Sequence, residues 1–293
     1  MSERRRRGKA SGRRIALWGV LVLVVAVAAA IYLRMQEERT GVVEPPLSEQ
    51  PVEPRVPAPP RYPMPEPPAP EAEPEEESTL TPGQPLLKPE EDETRLPELN
   101  ESDTAVGVAL DGLFDKDLLQ QLFNLDELVR RFVVTVENLP ARKLPRRELL
   151  MVRRAPGQFA VTGEGEEVRM SPDNAARYAP YVRLATSVEP ARIFAVYREF
   201  YPLFQEAYAE LGYPDAYFND RLVEVVDHLL ATPVVDEPVR LVRPHVFYQY
   251  ADPELEALSA GQKALIRMGN ANAEQIKERL RQLRENLTQQ ASP

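Results

Sequence analysis

Residues 187–212 read SVEPARIFAVYREFYPLFQEAYAELG, and this stretch predicts the longest helix of the chain. Five aromatic side chains recur in it at steps of three or four residues, which places them on one face of a helix: Phe194, Tyr197, Tyr201, Phe204 and Tyr208. We expect the helix to run from Ser187 to Leu211 and to end at Gly212. A kink is expected at Pro202, because proline removes one backbone hydrogen bond. One long helix with an aromatic face predicts a helical domain with a packed core.

Apolar residues at helical spacing predict more helices on both sides of this stretch. Leu222 to Leu230 form the next helix, and a side-chain oxygen of Asn219 or Asp220 is expected to cap its N-terminus. The other predicted helices lie at residues 113–125 and 125–138, after Ser171-Pro172, from the capping box of Ser259 and Gln262 to Gly269, and from about Ala273 onwards. We expect the last one to pack on the domain rather than to form an intermolecular coiled coil, because it has few turns.

Two short β-like patterns interrupt the predicted helices. Phe159–Thr162 and Glu167–Met170 flank the sequence GEGE and are predicted to form a hairpin. Val239–Val242 and Val246–Tyr250 are predicted to be short strands as well. The predicted fold class is therefore mainly α with a small β element (α+β). The chain contains no cysteine, so disulfide bonds do not brace this domain.

The beginning of the chain predicts a membrane anchor. Residues 15–33 run for 19 residues without a charge, and a helix of that length, at ~1.5 Å per residue, crosses the ~30 Å hydrocarbon core of a bilayer. Residues 1–14 hold seven positive charges, which put the N-terminus in the cytoplasm by the positive-inside rule. A cleaved signal peptide is the alternative, since Ala26-Val27-Ala28 fits a cleavage site. Its apolar region would, however, end well before Leu33.

Residues 34–98 predict a disordered linker rich in proline and glutamate. From residue 35 onwards this segment holds 17 of the 30 prolines, together with 16 acidic and 5 basic residues. Proline lacks the N–H that helices and sheets need, and like charges repel, so we expect an extended spacer. A docking motif is the alternative, and Pro57-Ala58-Pro59-Pro60 is compatible with one without being specific. The predicted organisation is a basic tip at 1–14, a transmembrane helix at 15–33, this linker, and a mostly helical domain at 99–293.

The sequence contains few groups that point to catalysis or to a metal. Without cysteine there is no thiol nucleophile, and neither a Gly-x-Ser-x-Gly motif nor a phosphate-binding glycine loop is present. His228 lies one helical turn from Glu224, and we expect these two to pair with each other rather than to bind a metal. We therefore predict no catalytic residue, no metal ligand and no cofactor.

A group of tyrosines and arginines is the candidate binding site. Most of the tyrosines follow the spacing of a buried helix face, so we expect the set to be mainly core. Tyrosine and arginine also dominate binding hot spots, and a groove lined by them would suit a peptide, a glycan or another protein. The candidate residues are Tyr201, Tyr208, Tyr213, Tyr217, Arg177, Arg198 and Arg221.

Several blocks of the domain resemble a known bacterial envelope family. They are RRFVVTVENLP at 130–140, NAARY at 174–178, YPLFQEAY at 201–208, ELGYP at 210–214, FNDRL at 218–222, and SAGQK with RMG at 259–269. Together these blocks are similar to the family known as domain of unknown function number 3014 (DUF3014), over about residues 99–287. The resemblance implies an uncharacterised membrane-anchored protein of diderm bacteria with a proline-rich linker. The resemblance identifies no activity, cofactor or catalytic residue that could be carried over to this chain.

These observations predict a single-pass protein of the bacterial inner membrane, with a cytoplasmic N-terminus and a periplasmic domain. The expected function is a non-enzymatic adaptor or scaffold that binds an envelope protein or peptidoglycan. Nucleic acid is not an expected partner, because residues 99–293 hold 23 basic and 29 acidic residues, a net charge of −6. The alternative function is a cell-wall glycan-binding protein, or a hydrolase that uses the carboxylate pairs Glu206 with Glu210 or Asp215 with Asp220.

Overall fold

The computed structural model describes residues 59–64, 96–145 and 149–289. Within these ranges the chain is mostly helical with two small sheets, so the predicted α+β fold class is confirmed. No helix within them is long and apolar enough to cross a membrane. The predicted basic tip, the predicted transmembrane helix and most of the predicted linker lie outside the described residues.

The helices and strands follow each other in nearly the predicted order. The helices are α1 (Ser102–Asp111), α2 (Lys116–Leu122), α3 (Leu128–Asn138), α4 (Asn174–Thr186), α5 (Pro190–Glu210), α6 (Phe218–Leu230), α7 (Pro253–Ala257), α8 (Ala260–Arg267) and α9 (Asn270–Thr288). The strands are β1 (Val161–Thr162), β2 (Arg169–Met170), β3 (Leu241–Val242) and β4 (Gln249–Tyr250). Helices α1 and α7 are missing from the sequence prediction, whose helix at 113–125 corresponds to α2.

Helix α9 lies at the centre of the helical part and packs against α4, α5 and α6. Its apolar residues Ile276, Leu280, Leu283 and Leu287 are all buried. Burial of one such side chain stabilises the fold by about 1.5–3 kcal/mol. With four of them buried, α9 makes a large contribution to the stability of the core. The prediction that the last helix packs on the domain is confirmed.

The aromatic face of α5 meets α3 and α6. Phe204 on α5 lies 5.3 Å from the ring of Phe132 on α3 and 6.0 Å from the ring of Phe218 on α6. Tyr208 lies 5.4 Å from Phe218, and Tyr197 lies 5.5 Å from Phe204. Ring pairs at these distances add attraction beyond simple burial. The aromatic face therefore forms core, as the spacing predicts.

The predicted hairpin and the two further predicted strands are present, although all four strands are shorter than expected. Strand β1 pairs antiparallel with β2, and β3 pairs antiparallel with β4. The Met170 N–H donates to the Val239 carbonyl at 2.8 Å, and the Leu241 N–H donates to the Val168 carbonyl at 2.9 Å, which joins the hairpins side by side. They cover a second, smaller apolar cluster formed by Met170, Val235, Val239, Leu241, Tyr250 and Ile266.

The structure confirms some predicted helix starts and corrects others. Ser259 and Gln262 form the expected capping box of α8. Helix α4 begins at Asn174 rather than directly after Ser171, whose hydroxyl accepts from the Asp173 N–H in the turn before the helix. The prediction that Asn219 or Asp220 caps α6 is wrong, because α6 begins at Phe218 and both residues lie inside its first turn. Their side chains are therefore available for another contact.

A short piece of the predicted linker lies on this domain. Residues Pro59–Met64, which we call the linker segment, have an irregular backbone with a bend at Arg61 and Tyr62. Tyr62 and Met64 are half-buried and pack against the main apolar core. The linker prediction did not include this contact, although it named the neighbouring Pro57–Pro60 stretch as compatible with docking.

Candidate functional site

The linker segment is held by the first turn of α6, mainly through its backbone. The N–H of Arg61 donates to one carboxylate oxygen of Asp220 at 2.8 Å, and the N–H of Tyr62 donates to the other at 2.8 Å. The side-chain amide of Asn219 donates to the Tyr62 carbonyl at 2.8 Å. We call Tyr197, Asn219, Asp220 and Glu224 the linker site.

Tyr197 fixes the orientation of the Asn219 amide. Both residues are fully buried, and the Tyr197 hydroxyl donates to Asn219 Oδ1 at 3.2 Å. Burial raises the pKa of Tyr197 well above its usual value, so the hydroxyl keeps its proton and remains a donor. With its oxygen taken, Asn219 presents the NH₂ group to the linker segment. The site therefore presents a hydrogen-bond donor to a backbone carbonyl of the bound segment.

The side chains of the linker segment make a second set of contacts. The Arg61 guanidinium bonds to Glu224, and its Nε lies 4.0 Å from Asp220 Oδ2. Most of the Arg61 side chain is exposed, so solvent screens this pair. Glu224 also bonds to Arg221 through its other carboxylate oxygen, at 3.3 Å. Backbone hydrogen bonds and apolar contacts therefore anchor the segment, and Arg61 adds a charge preference.

Gln205 positions the start of α6, and sequence reasoning missed it. Its amide donates to the Ala216 carbonyl at 2.8 Å, and its carbonyl accepts from the Phe218 N–H at 2.9 Å. Tyr201 donates to the same oxygen at 3.0 Å, and burial raises the pKa of Tyr201 to about 12, so that donor stays protonated. One α5 side chain thus ties down the loop that leads into the linker site.

Three of the predicted binding residues meet around Glu137 on α3, which the prediction did not name. Arg221 donates from Nε to Glu137 Oε2 at 2.8 Å and from Nη2 to Oε1 at 3.0 Å. Tyr213 donates to Oε1 at 3.3 Å and stacks on Tyr208 with ring centroids 4.7 Å apart. Burial, with a smaller effect of the Glu137 charge, raises the pKa of Tyr208 to about 12.

The other predicted residues have separate surroundings. Arg177 on α4 donates to the Pro156 carbonyl at 2.9 Å and lies 5.6 Å from the Tyr178 ring. Arg198 is exposed on α5. Tyr217 is the residue before α6, and Tyr201 contacts Tyr197 ring to ring at 5.6 Å. The predicted set therefore divides between the Glu137 cluster, the edge of the linker site and other parts of the surface.

A family comparison covers most of the domain described above. Residues 128–284 match the family model described as a protein of unknown function, DUF3014. The chain belongs to this family. No curated protein and no solved structure matches the chain. The matched part of the DUF3014 protein includes the whole linker site, whereas the linker segment lies outside it.

Two of the four carboxylates considered for hydrolysis have their own partners in this DUF3014 domain, and the other two are exposed. Glu210 accepts from Arg130 Nε at 2.8 Å, and this hydrogen bond lowers the pKa of Glu210. Asp220 binds the linker segment, while Glu206 and Asp215 are exposed. We derive no catalytic pair from these positions.

His228 contacts Ser259 and not Glu224, so the predicted pairing with Glu224 is wrong. The His228 Nε2 atom lies 2.8 Å from Ser259 Oγ, in the capping box of α8. Burial, and to a lesser degree the Arg221 charge, lowers the pKa of His228. Among the residues that the structure of this DUF3014 protein describes, no group of three or more His, Asp or Glu side chains could hold a metal.

Proposed function

We propose that this DUF3014 protein is a single-pass protein of the bacterial inner membrane whose periplasmic domain is a non-enzymatic adaptor. The uncharged stretch at 15–33 and the basic residues before it support the membrane location. In this proposal the adaptor binds an irregular segment of an envelope protein at the linker site. Residues 34–98 tether the domain and raise its effective concentration near partners.

The observation that carries this proposal is the way in which the linker site holds a chain segment. Three of its hydrogen bonds go to backbone groups, which every polypeptide possesses. A hydrogen bond to a charged group such as the Asp220 carboxylate contributes about 1.5–3 kcal/mol. A surface that satisfies consecutive backbone groups of a non-helical segment is suited to peptide recognition, and a partner segment would use the same groups.

Site-specific photo-cross-linking in cells tests the adaptor function. A photoreactive amino acid replaces Glu224 at the linker site, whose side chain is 43% exposed. The matched control position is Glu254 on α7, which is also exposed and lies beside the smaller core. We expect a discrete envelope protein to cross-link at 224 and not at 254, and Asp220→Asn to lower the yield. Cross-links at 224 to the chain's own linker segment alone would contradict an adaptor function.

Binding of cell-wall glycan is the competing proposal, and the Tyr208–Tyr213 stack is the feature that favours it. Tyr213 is 40% exposed, and an exposed aromatic ring offers an apolar face on which the C–H groups of a sugar ring can pack. Sedimentation with purified peptidoglycan tests it. Retention of the chain, lost on Tyr213→Ala and kept on Asp220→Asn, would favour the glycan over a protein partner.

A further inference from the structure

We propose that the linker site selects segments with the sequence Arg-Tyr-Pro, and that the chain's own linker segment competes with such partner segments. This inference rests on the proposed function, because it names the ligand class of the same site. The occupant is thus a partner protein's proline-flanked Arg-Tyr segment. The chain's own copy, Pro60-Arg61-Tyr62-Pro63, shows how that occupant is held.

Prolines on both sides make this backbone fit the site. Proline has no N–H, so the two residues between Pro60 and Pro63 supply two successive N–H groups, and Asp220 accepts both. Successive N–H groups that converge on one anion are a recurrent anion-binding arrangement, here with the carboxylate as the anion. Proline also fixes the backbone around the bend, which lowers the entropy lost on binding. The flanking prolines are therefore part of the recognised pattern.

The side chains between the prolines add selectivity. One carboxylate oxygen of Glu224 accepts from Arg221 and the other accepts from Arg61. A cation at the first position of the segment therefore gives the second oxygen a charged partner. Tyr62 packs against the main core at the second position, where a smaller side chain would leave a gap. Met64, after the second proline, packs against the same core. Arginine followed by an aromatic residue therefore fits the site better than other pairs.

Competition follows from the short connection between the linker segment and the domain. Residues 65–95 join Met64 to the described part that begins at residue 96, and two sites tethered through the same chain have effective concentrations of the order of mM. A segment with an intrinsic Kd of ~0.1 mM would then leave about a tenth of the sites free. Removing the side-chain contacts of the chain's own segment should therefore strengthen binding of an added peptide about tenfold.

The test uses the full chain in detergent and a fluorescent peptide with the sequence of residues 57–66, PAPPRYPMPE. The peptide PAPPAAPMPE is the matched control. Binding is measured by fluorescence anisotropy with the wild type, with Arg61→Ala/Tyr62→Ala, and with that double variant combined with Asp220→Asn. We expect the double variant to bind PAPPRYPMPE about tenfold more tightly than the wild type does. We expect the additional Asp220→Asn change to weaken binding at least tenfold.

Each other outcome overturns a distinct statement. Equal affinity of the wild type and the double variant would overturn the competition. Equal binding of both peptides, or of neither, by the double variant would overturn the selectivity, while a cross-linked partner at position 224 would still support the adaptor function. If Asp220→Asn lowers the melting temperature, Glu224→Gln at the exposed edge replaces it, and an unchanged affinity would again contradict the assignment.

Discussion

Arg221 is the residue on which two parts of the molecule depend. It joins α6 to α3 through two hydrogen bonds to Glu137, and it also contacts Glu224 of the linker site. Three quarters or more of each side chain in the Arg221–Glu137 pair is shielded from solvent, so the pair is screened less than a surface ion pair. Its role is therefore to hold the helices that carry the linker site.

We expect Arg221→Met to lower the free energy of unfolding by about 2 kcal/mol, because it leaves the Glu137 carboxylate without its charged partner. Arg281→Met is the matched control, since Arg281 contacts only neighbours on the exposed side of α9, and we expect a loss below about 0.5 kcal/mol. Urea unfolding of both variants measures the difference. Losses of the same size would show that the Arg221 pair has no special role.

His228 makes stability depend on pH in a direction that the structure fixes. Burial lowers its pKa in the folded state relative to the unfolded value of about 6.5. Between these values only the unfolded chain binds the proton, so the contribution of His228 to stability is present above pH ~6.5 and is lost as the pH falls.

As the pH falls from 7.5 to 5.5, we therefore expect the free energy of unfolding of His228→Gln to decrease less than that of the wild type. His245→Gln, at an exposed histidine, is the matched control. Urea titrations at both pH values measure this. A His228→Gln curve parallel to that of the wild type would contradict the burial effect.

At the scale of elements, two helical glycines predict opposite effects of the same substitution. A methyl group on Gly261 of α8 would lie 2.6 Å from Leu229 Cδ2 and 3.1 Å from the Leu139 carbonyl oxygen. Gly107 of α1 has nothing within 4 Å of that position. We expect Gly261→Ala to cost about 1–3 kcal/mol through overpacking, and Gly107→Ala to gain about 0.5–1 kcal/mol through helix propensity. Thermal unfolding measures both, and a stabilised Gly261→Ala variant would contradict the close approach of α8.

Most of the helices, the first hairpin and the strands of the second hairpin were predictable here because their signals are local. The aromatic spacing of α5, the capping box of α8 and the residues around both hairpins each depend on neighbours in the sequence. The first turn of α6 was not predictable in this way. Asn219 and Asp220 have side chains suited to N-caps, yet they bind residues 61 and 62, more than 150 positions earlier. No periodic pattern records a contact of that kind.

The candidate site was predictable only in part, for a related reason. Tyr208, Tyr213 and Arg221 were named from their residue types, and the structure brings them together. Glu137, the common partner of Tyr213 and Arg221, lies on α3 and has no distinguishing pattern in the sequence. Gln205 likewise has an ordinary position on α5. Which polar side chain receives a partner depends on how helices pack, and composition does not contain that information.

At the scale of the whole molecule, the absence of cysteine offers a direct test of the proposed membrane topology. Single-cysteine variants Ser2→Cys, Ser78→Cys and Gln289→Cys are treated with a membrane-impermeant maleimide in spheroplasts. We expect labelling at positions 78 and 289, and labelling at position 2 only after lysis, because the positive-inside rule places residues 1–14 in the cytoplasm. The wild type should remain unlabelled. Labelling of position 2 in sealed spheroplasts would contradict the topology.

The docked linker segment gives the proposed tether two possible lengths. With the segment in place, only residues 34–58 separate the predicted transmembrane helix from the domain, and at ~3.1 Å per residue they reach at most about 80 Å. With the segment displaced, residues 34–98 reach at most about 200 Å. A partner that binds the linker site displaces the linker segment, and this lengthens the tether between the domain and the membrane. Recognition and distance from the membrane would then be coupled in a single step.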